Sequence, residues 1–534
     1  MDGRLAIDTA VLLVYFVLII SIGLYMGRKE ENLKDFALGG RAIPWWAVLA
    51  SLIAAETSAG TFFGAPGEGF TLRNYTYLQL ALGTIIARVL VSYIFIKPYY
   101  DYKVYSIYEY LTVRFGVATK NAASAVFMIT RLLASGARLY FAAIALALAY
   151  EMISGAKPDQ RETLFIYIGS TIAIVILTAI YTTLGGIKAV IWTDLIQASI
   201  MIGSALVALA LLYLAIPGGW DEIVTRHGGF HFSDFITSGL DPAKHGWQKI
   251  AGMFAIEYTI FAGLFGSTFI TMGTHGTDQD MVQRMLTAPD VRRSRRSVIL
   301  SGLADIPIAF TFISIGLLLW VYYQAHPDPT LPKTPNETFC HFILYQMPVG
   351  MRGLLIAGIF ATAMGSLSTA LNALATSFTR DWYEPYVNPG STSEQSLRAV
   401  RWATVWFALL MIIVASATSY CVIVRPNLRI IPIALGIFGY TYGSLLGVFL
   451  CGIFTKRRGN DFGNILAMII GFAVVAILSG LPNNIAGIFG GKLYPQPSWL
   501  PLMEFPWWIC FGSIVTFCVA LLFKTRREQR PPVA

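Results

Sequence analysis

Apolar and polar stretches alternate along this chain on the scale of a membrane. Predominantly apolar runs of about 18 to 25 residues recur from one end to the other, the length a helix needs to cross about 30 Å of hydrocarbon at about 1.5 Å per residue. Thirteen spans are predicted, near residues 6–27, 43–70, 74–97, 121–153, 163–184, 188–215, 249–274, 298–325, 344–379, 400–422, 428–454, 462–482 and 505–523. The first is read as a retained span, because it is long, lacks a basic leader and is followed by no small-residue cleavage pattern.

Composition agrees: of 534 residues, 56% are hydrophobic and 13% charged, and the mean hydropathy is +0.62. No water-soluble surface can be assembled from that inventory. In a soluble protein the net charge of +9 would raise nucleic acid as a partner; here none is expected, and the lipid bilayer is the partner instead. The placement of the basic residues matters more than their sum. With thirteen spans, 24 of the 39 fall on one side and 12 on the other, with Arg88, Arg131 and Arg138 at membrane depth. The excess marks the first side as cytoplasmic, so the N-terminus is expected outside and the C-terminus inside, across a plasma or inner membrane. The polar loops 216–248 and 326–343 then lie outside, and no separate soluble domain is predicted. Cys340, Cys421, Cys451, Cys510 and Cys518 are scattered and read as packing residues. The sequon at Asn336 reads as a chance occurrence.

Two spans are unlike ordinary membrane helices. Residues 51–70 read SLIAAETSAGTFFGAPGEGF and residues 262–280 read AGLFGSTFITMGTHGTDQD, both dense in Gly, Ser and Thr. Close helix packing through small residues is one reading. The other is a pair of discontinuous helices whose unwound backbone offers carbonyls to a cation and amides to a solute. The two are the second and seventh spans, five apart, as the first helices of two inverted five-helix repeats would be. The ninth span places Ser366, Ser368, Thr369 and Asn372 on neighbouring turns, oxygen groups suited to a hard cation or to their own backbone. Asp194 is an acid within or near the start of a span; it reads as functional or as an interfacial helix cap after Gly185 and Gly186. Arg131 and Arg138 lie seven apart, on one helical face, and either suits a carboxylate; a structural ion pair or snorkelling is the alternative for each, with Glu56, Glu257 and Asp305 as acidic partners. No P-loop, HExxH, GxSxG or dinucleotide turn is present, so no enzyme is predicted.

Several strings together resemble the sodium:solute symporters, the family of sodium/glucose, sodium/proline and sodium/sialic acid cotransporters: FALGGRAIPWWAVLASLIAAETSAGTFFGAPGEGF, YSIYEYLTVRFG, YTTLGGIKAVIWTDLIQ, GTDQDMVQRMLTA, GSLSTALNALATSFTRDWY and GYTYGSLLGVFLCGIFTKR. They cover residues 6 to about 460. The resemblance implies an all-α integral membrane fold of about 13 helices, an inverted five-plus-five repeat with discontinuous first and sixth core helices. It divides the chain into an extra N-terminal helix and loop (1–42), a first repeat (43–215), an extracellular loop (216–248), a second repeat (249–460) and two peripheral helices with a tail (461–534).

For this chain the resemblance implies a symporter that imports a small organic solute with sodium by alternating access. Sodium would be held by carbonyls of Ala54, Thr57 and Thr362 and the hydroxyl of Ser366. Gly365 departs from the family pattern, which often has a hydroxyl there; its own carbonyl, the Thr57 hydroxyl or water would complete the site. A second cation would be held near Asp194, Ser368 and Thr369. Solute contacts would come from Ser58, Thr61, Gln79, Arg131, Arg138 and Thr271. Sugar carriers would show amides or acids where Gly60 and Thr61 stand, which with the membrane arginines tilts the solute towards a sialic acid or a monocarboxylate. A sugar or amino-acid symporter, a proton-driven carrier using Asp194 or Glu56, and a non-transporting sensor are the rivals.

Overall fold

The structure is a computed structural model that describes residues 3–28, 32–154, 158–424, 430–488 and 503–525. These residues are helical apart from loops and one isolated bridge between Arg458 and Lys524. Of the basic residues counted for sidedness, those at 29, 157, 425, 429, 492, 526, 527 and 530 lie outside the described residues.

The helices are α1 (Gly3–Gly27), α2 (Trp45–Glu56), α3 (Ala59–Leu72), α4 (Gln79–Ile94), α5 (Val117–Ser154), α6 (Gln160–Leu214), α7 (Trp247–Ala255), α8 (Thr268–Gly276), α9 (Gln279–Met285), α10 (Val291–Ala325), α11 (Pro335–Gln346), α12 (Met351–Phe378), α13 (Ser393–Val424), α14 (Ile430–Phe454), α15 (Asp461–Leu478) and α16 (Pro506–Leu521), with shorter turns between them. In hydrocarbon every backbone amide and carbonyl needs an internal partner, which helices supply along their length. Exposed Leu13, Val14, Phe165, Trp402, Trp406 and Ile469 are then the lipid-facing surface of the bundle.

Nine helices among the described residues are long and apolar enough to cross a membrane unbroken, or ten if one bent pair counts as a span, against thirteen predicted stretches. Each difference has a local cause. The fifth and sixth stretches run together in α6, the second and seventh are interrupted, and the last contains only the 16 residues of α16. The 55 residues of α6 would measure about 80 Å if straight, so the chain must turn within it. It turns at Gly186 (φ 50°, ψ −151°), a conformation that only glycine adopts without strain. A methyl at this position would also lie 2.7 Å from the Phe36 carbonyl oxygen. Gly186→Ala is expected to reduce the yield of monodisperse protein and to lower its melting temperature, measured by fluorescence-detected gel filtration after heating; unchanged values would refute this.

The ninth stretch is shifted along the chain. It begins at Met351 and runs on through a π-helical turn to Val387, and the preceding apolar residues form the separate α11. That helix buries Phe339, Cys340, Phe342, Ile343 and Leu344, with Phe339 stacked on Phe62 of α3 at 5.5 Å. Asn336 of the sequon packs against Gly67. Helix α12 is the axis of the bundle, with 89% of its apolar window buried inside the protein.

Candidate functional site

Helix α2 ends at Glu56 and α3 begins at Ala59. Between them Thr57 (φ −80°, ψ 86°) leaves the helical conformation and Ser58 (φ −82°, ψ 168°) is extended, so the second span is discontinuous. In a continuous helix the Ser58 amide would donate to Ala54 and the Thr61 amide to Thr57. Here Ser58 donates to the Glu56 carbonyl (3.0 Å) and Thr61 to the Ser58 carbonyl (2.9 Å). The carbonyls of Ala54 and Thr57 are thereby left without helical partners, in a region where such groups need one.

A cluster of charges holds this break. Arg88 of α4 is 1% exposed and pairs with Glu56, with Asp305 of α10 at 2.8 Å, and with the Ser301 hydroxyl at 2.5 Å. His275 of α8 contacts the other oxygen of Glu56. Of the membrane arginines, Arg88 is therefore the structural one.

The seventh span is broken within the predicted segment, where α8 ends at Gly276, Asp278 is extended (φ −102°, ψ 122°) and α9 begins at Gln279, and it is interrupted again upstream. Helix α7 ends at Ala255, Ile256 is extended (φ −113°, ψ 127°), and the chain resumes as a π-helical turn, Ala262–Ser267, leading into α8. Gln79 serves this break. Its side-chain amide donates to the carbonyls of Thr76 (3.0 Å) and Tyr258 (3.1 Å), and its oxygen accepts from the Thr237 amide (3.1 Å). Thr271 faces Thr84 of α4 at 3.3 Å. Neither Gln79 nor Thr271 is among the residues lining the central cavity; both polar groups are engaged at the interface of α4 with the second broken span.

The central cavity lies between the first break and α12. Ser58, Arg131, Ser135, Arg138, Asp280 and Ser366 supply its polar lining, and its volume is about 20 Å³, room for little more than a water. Thr61, half-buried beside the break, is not part of that lining. A larger cleft, about 700 Å³, opens beside Trp402 and Trp406 and shares no residue with the broken helices. Arg138 presents its guanidinium to the central cavity, packed on the Phe438 ring with 4.6 Å from its central carbon to the ring centre; among the described residues no carboxylate pairs with it. Arg131 is engaged, with Asp278 and with Asp280 (3.0 Å).

On the other side of Gly365 a second group of oxygens converges. A point one bond beyond its Cα, where a side chain would start, is 3.0 Å from Gln197 Oε1, 3.6 Å from Asp194 Oδ1 and 3.8 Å from the Ala54 carbonyl oxygen. Asp194 and Gln197 are 0% and 1% exposed, and neither of these side-chain oxygens has a hydrogen-bond partner, nor does the Ser366 hydroxyl. Uncompensated buried oxygens of this kind call for a cation or a water. The missing hydroxyl of Gly365 thus leaves a space walled by a carboxylate, a carboxamide and a freed carbonyl, a donor set that fits sodium. Asp194 is no interfacial cap; it lies eight residues past the Gly186 turn, fully buried, its second oxygen held by Ser51 (2.5 Å) and Arg284 (3.4 Å). Nearby hydroxyls are directed elsewhere: Thr362 to the Ile359 carbonyl (2.7 Å), Ser368 to the Gly365 carbonyl (3.0 Å), Thr369 to the Ser366 carbonyl (2.8 Å) and Asp280 (3.3 Å).

Arg284, assigned to the cytoplasmic basic cluster on sequence alone, is fully buried and pairs with Asp280 and Asp194. Gln197, Asp278, Asp280 and Arg284 were not singled out for the site. The four-residue spacing of Asp280 and Arg284 was a usable signal for a helical ion pair.

The model of the sodium:solute symporter family matches residues 36–471. The sodium/sialic acid symporter SiaT of Proteus mirabilis is 28% identical, with 91% of this chain and 90% of that protein covered. The sodium-coupled monocarboxylate transporter 2 of Danio rerio is also 28% identical, over 92% of this chain and 73% of that protein. Among solved structures, that of a substrate-bound, outward-open Na⁺-coupled sialic acid symporter superposes with a TM-score of 0.77 at 25% identity, covering 97% of both chains.

Proposed function

The chain belongs to the sodium:solute symporter family and is a membrane transporter that couples a small organic solute to sodium; we propose that its solute carries a carboxylate, anchored by Arg138. The observation that carries this reading is the unpaired Arg138 guanidinium at the central cavity. A half-buried cation with no carboxylate partner and its Nε sealed from water without an acceptor is costly, and a solute carboxylate would compensate it bidentately. Ser58, Ser135 and Ser366 supply neutral hydrogen bonds beside it. The sialic acid and monocarboxylate carriers among the relatives agree with an acid. Gln79 and Thr271 take positioning roles where α4 meets the seventh span, and Thr61 borders the first break.

Sodium is assigned to the space at Gly365, where the freed carbonyl of Ala54, Asp194 and Gln197 supply oxygens, with the freed carbonyl of Thr57, the Thr362 carbonyl and Ser366 as the remaining donors of the first site. Ser368 and Thr369 belong to a second cation position only if their hydroxyls turn from their present acceptors. Because the cavity has room for about one water, the solute enters when the helices around it part, as alternating access requires. The broken helices α2/α3 and α8/α9 are assigned as the first helices of repeats 43–215 and 249–460. The N-terminus is placed outside and the C-terminus in the cytoplasm, supported by the two-to-one excess of basic residues.

A thermal-shift screen of sugars, amino acids and carboxylates, each in sodium and in potassium, tests the proposal. An acid is expected to stabilise the protein in sodium and not in potassium. Stabilisation by a neutral sugar alone, or an equal response in both salts, would overturn it.

A further inference from the structure

Between the solute cavity and the space at Gly365 runs an unbroken line of buried charges. Asp278 pairs with Arg131, Arg131 with Asp280 at 3.0 Å, Asp280 with Arg284, and Arg284 with Asp194 at 3.4 Å. These five residues are 0 to 5% exposed. Ser51 bridges the last pair, accepting from Arg284 Nε at 2.8 Å and donating to Asp194 at 2.5 Å, and the Tyr442 hydroxyl donates to Asp278 at 2.5 Å. The line crosses the molecule from α5, through α9, to α6, so it joins elements from both halves of the chain. At its cavity end, Arg131 shares the lining with Asp280 and with the unpaired Arg138. At its other end Asp194 keeps one oxygen without a partner.

Counted together, three carboxylates (Asp194, Asp278, Asp280) face three guanidiniums (Arg131, Arg138, Arg284). The protein's own charges in this set balance, but the positive surplus lies at the cavity and the negative surplus at Gly365. We propose that this line is the coupling element of the transporter, and that solute and cation bind cooperatively because, once either is bound, only the other restores the neutrality of the set. The inference rests on the solute and sodium assignments made above. An anion bound at Arg138 without a cation would leave the set with an uncompensated negative charge, and a cation at Asp194 without the anion would leave it positive. In a water-poor interior such imbalance is expensive. Bound together they restore neutrality, and by linkage each raises the affinity for the other by the same factor. The pairing geometry gives the same sign. An anion at the cavity draws Arg131 and repels Asp280, which turns more fully to Arg284 and releases Asp194 to its cation. Arg284 is on this account a positioning residue that touches neither ligand.

Charge balance makes a prediction that a purely structural role does not: removing an acid and removing a base must shift sodium affinity in opposite directions. The probe is sodium chloride alone, without solute, titrated into the purified full-length protein at constant ionic strength against potassium, with thermal stabilisation as the readout. Asp278→Asn keeps the shape of the side chain and its capping acceptor for the Asp280 amide (2.9 Å); it is expected to weaken sodium at least tenfold, with Asp278→Glu restoring it. Arg138→Gln breaks no ion pair and is expected to tighten sodium at least threefold. Shifts in the same direction, or none in either variant, would overturn the inference. Should Asp278→Asn fail to fold, Arg138→Gln decides alone, since unchanged or weaker sodium binding refutes charge balance. A wild type that responds equally to sodium and potassium would instead defeat the functional reading on which this rests.

Discussion

Arg138→Gln is expected to abolish the stabilisation of the protein by its acidic solute while the protein still responds to sodium alone, with the tighter affinity that charge balance requires. The guanidinium packs on Phe438 at the central cavity and has no carboxylate partner among the described residues. Glutamine keeps length and hydrogen-bonding capacity but offers neither charge nor the two parallel donors a carboxylate accepts. Hydrogen bonds to a charged group contribute about 1.5 to 3 kcal/mol each, so the loss of a bidentate pair is expected to cost on the order of 100-fold or more in affinity. Solute titration by thermal shift and sodium-driven uptake into proteoliposomes both measure it. Retained affinity within a few-fold would move the anchor to Arg131, which would then have to leave Asp278 and Asp280.

The second large effect concerns folding. Arg88→Leu removes the only guanidinium among the described residues that pairs with Glu56 and Asp305, and leaves two carboxylates facing each other beside the break in the first core helix. Breaking a buried pair by deleting one partner costs about 3 to 5 kcal/mol. With Glu56 16% and Asp305 26% exposed, the lower end of that range is expected, still enough to deplete a membrane protein of ordinary stability. The readouts are the yield of monodisperse protein and its unfolding temperature, with Arg88→Lys recovering part of the loss. A wild-type yield and unfolding temperature for Arg88→Leu would show that the cluster does not hold the break.

How much of this was legible in the sequence depended on whether neighbours along the chain carried the signal. The spans were, because the apolar run length is a local property. The break at Thr57 and Ser58 was, because Gly, Ser and Thr gather between residues 51 and 70; the freed carbonyls fall at Ala54 and Thr57, the positions that the resemblance indicated. The break at Thr277 and Asp278 was legible too, because Gly and Thr gather in residues 262–280; the further interruption at Ile256 has no glycine to announce it. Gln79 and Thr271 looked available for solute because nothing local reveals that their partners are Tyr258, Thr237 and Thr84. Arg284 was read as a loop residue since it precedes the basic run at 292–296; its partner Asp194 is 90 residues away. Gly365 was recognised as a departure, but the carboxamide of Gln197 that faces it from α6 required the packed structure.

The balance of three carboxylates against three guanidiniums also bears on the electrical character of transport. A membrane potential does about 2.3 kcal/mol of work per elementary charge per 100 mV, and it acts on whatever net charge changes sides. If these six groups move as one set, they contribute nothing to that charge, and only cargo does. A monovalent acid travelling with one sodium ion would then cross as a neutral pair. Its accumulation would be set by the chemical gradient of sodium alone, indifferent to whether the cell is polarised.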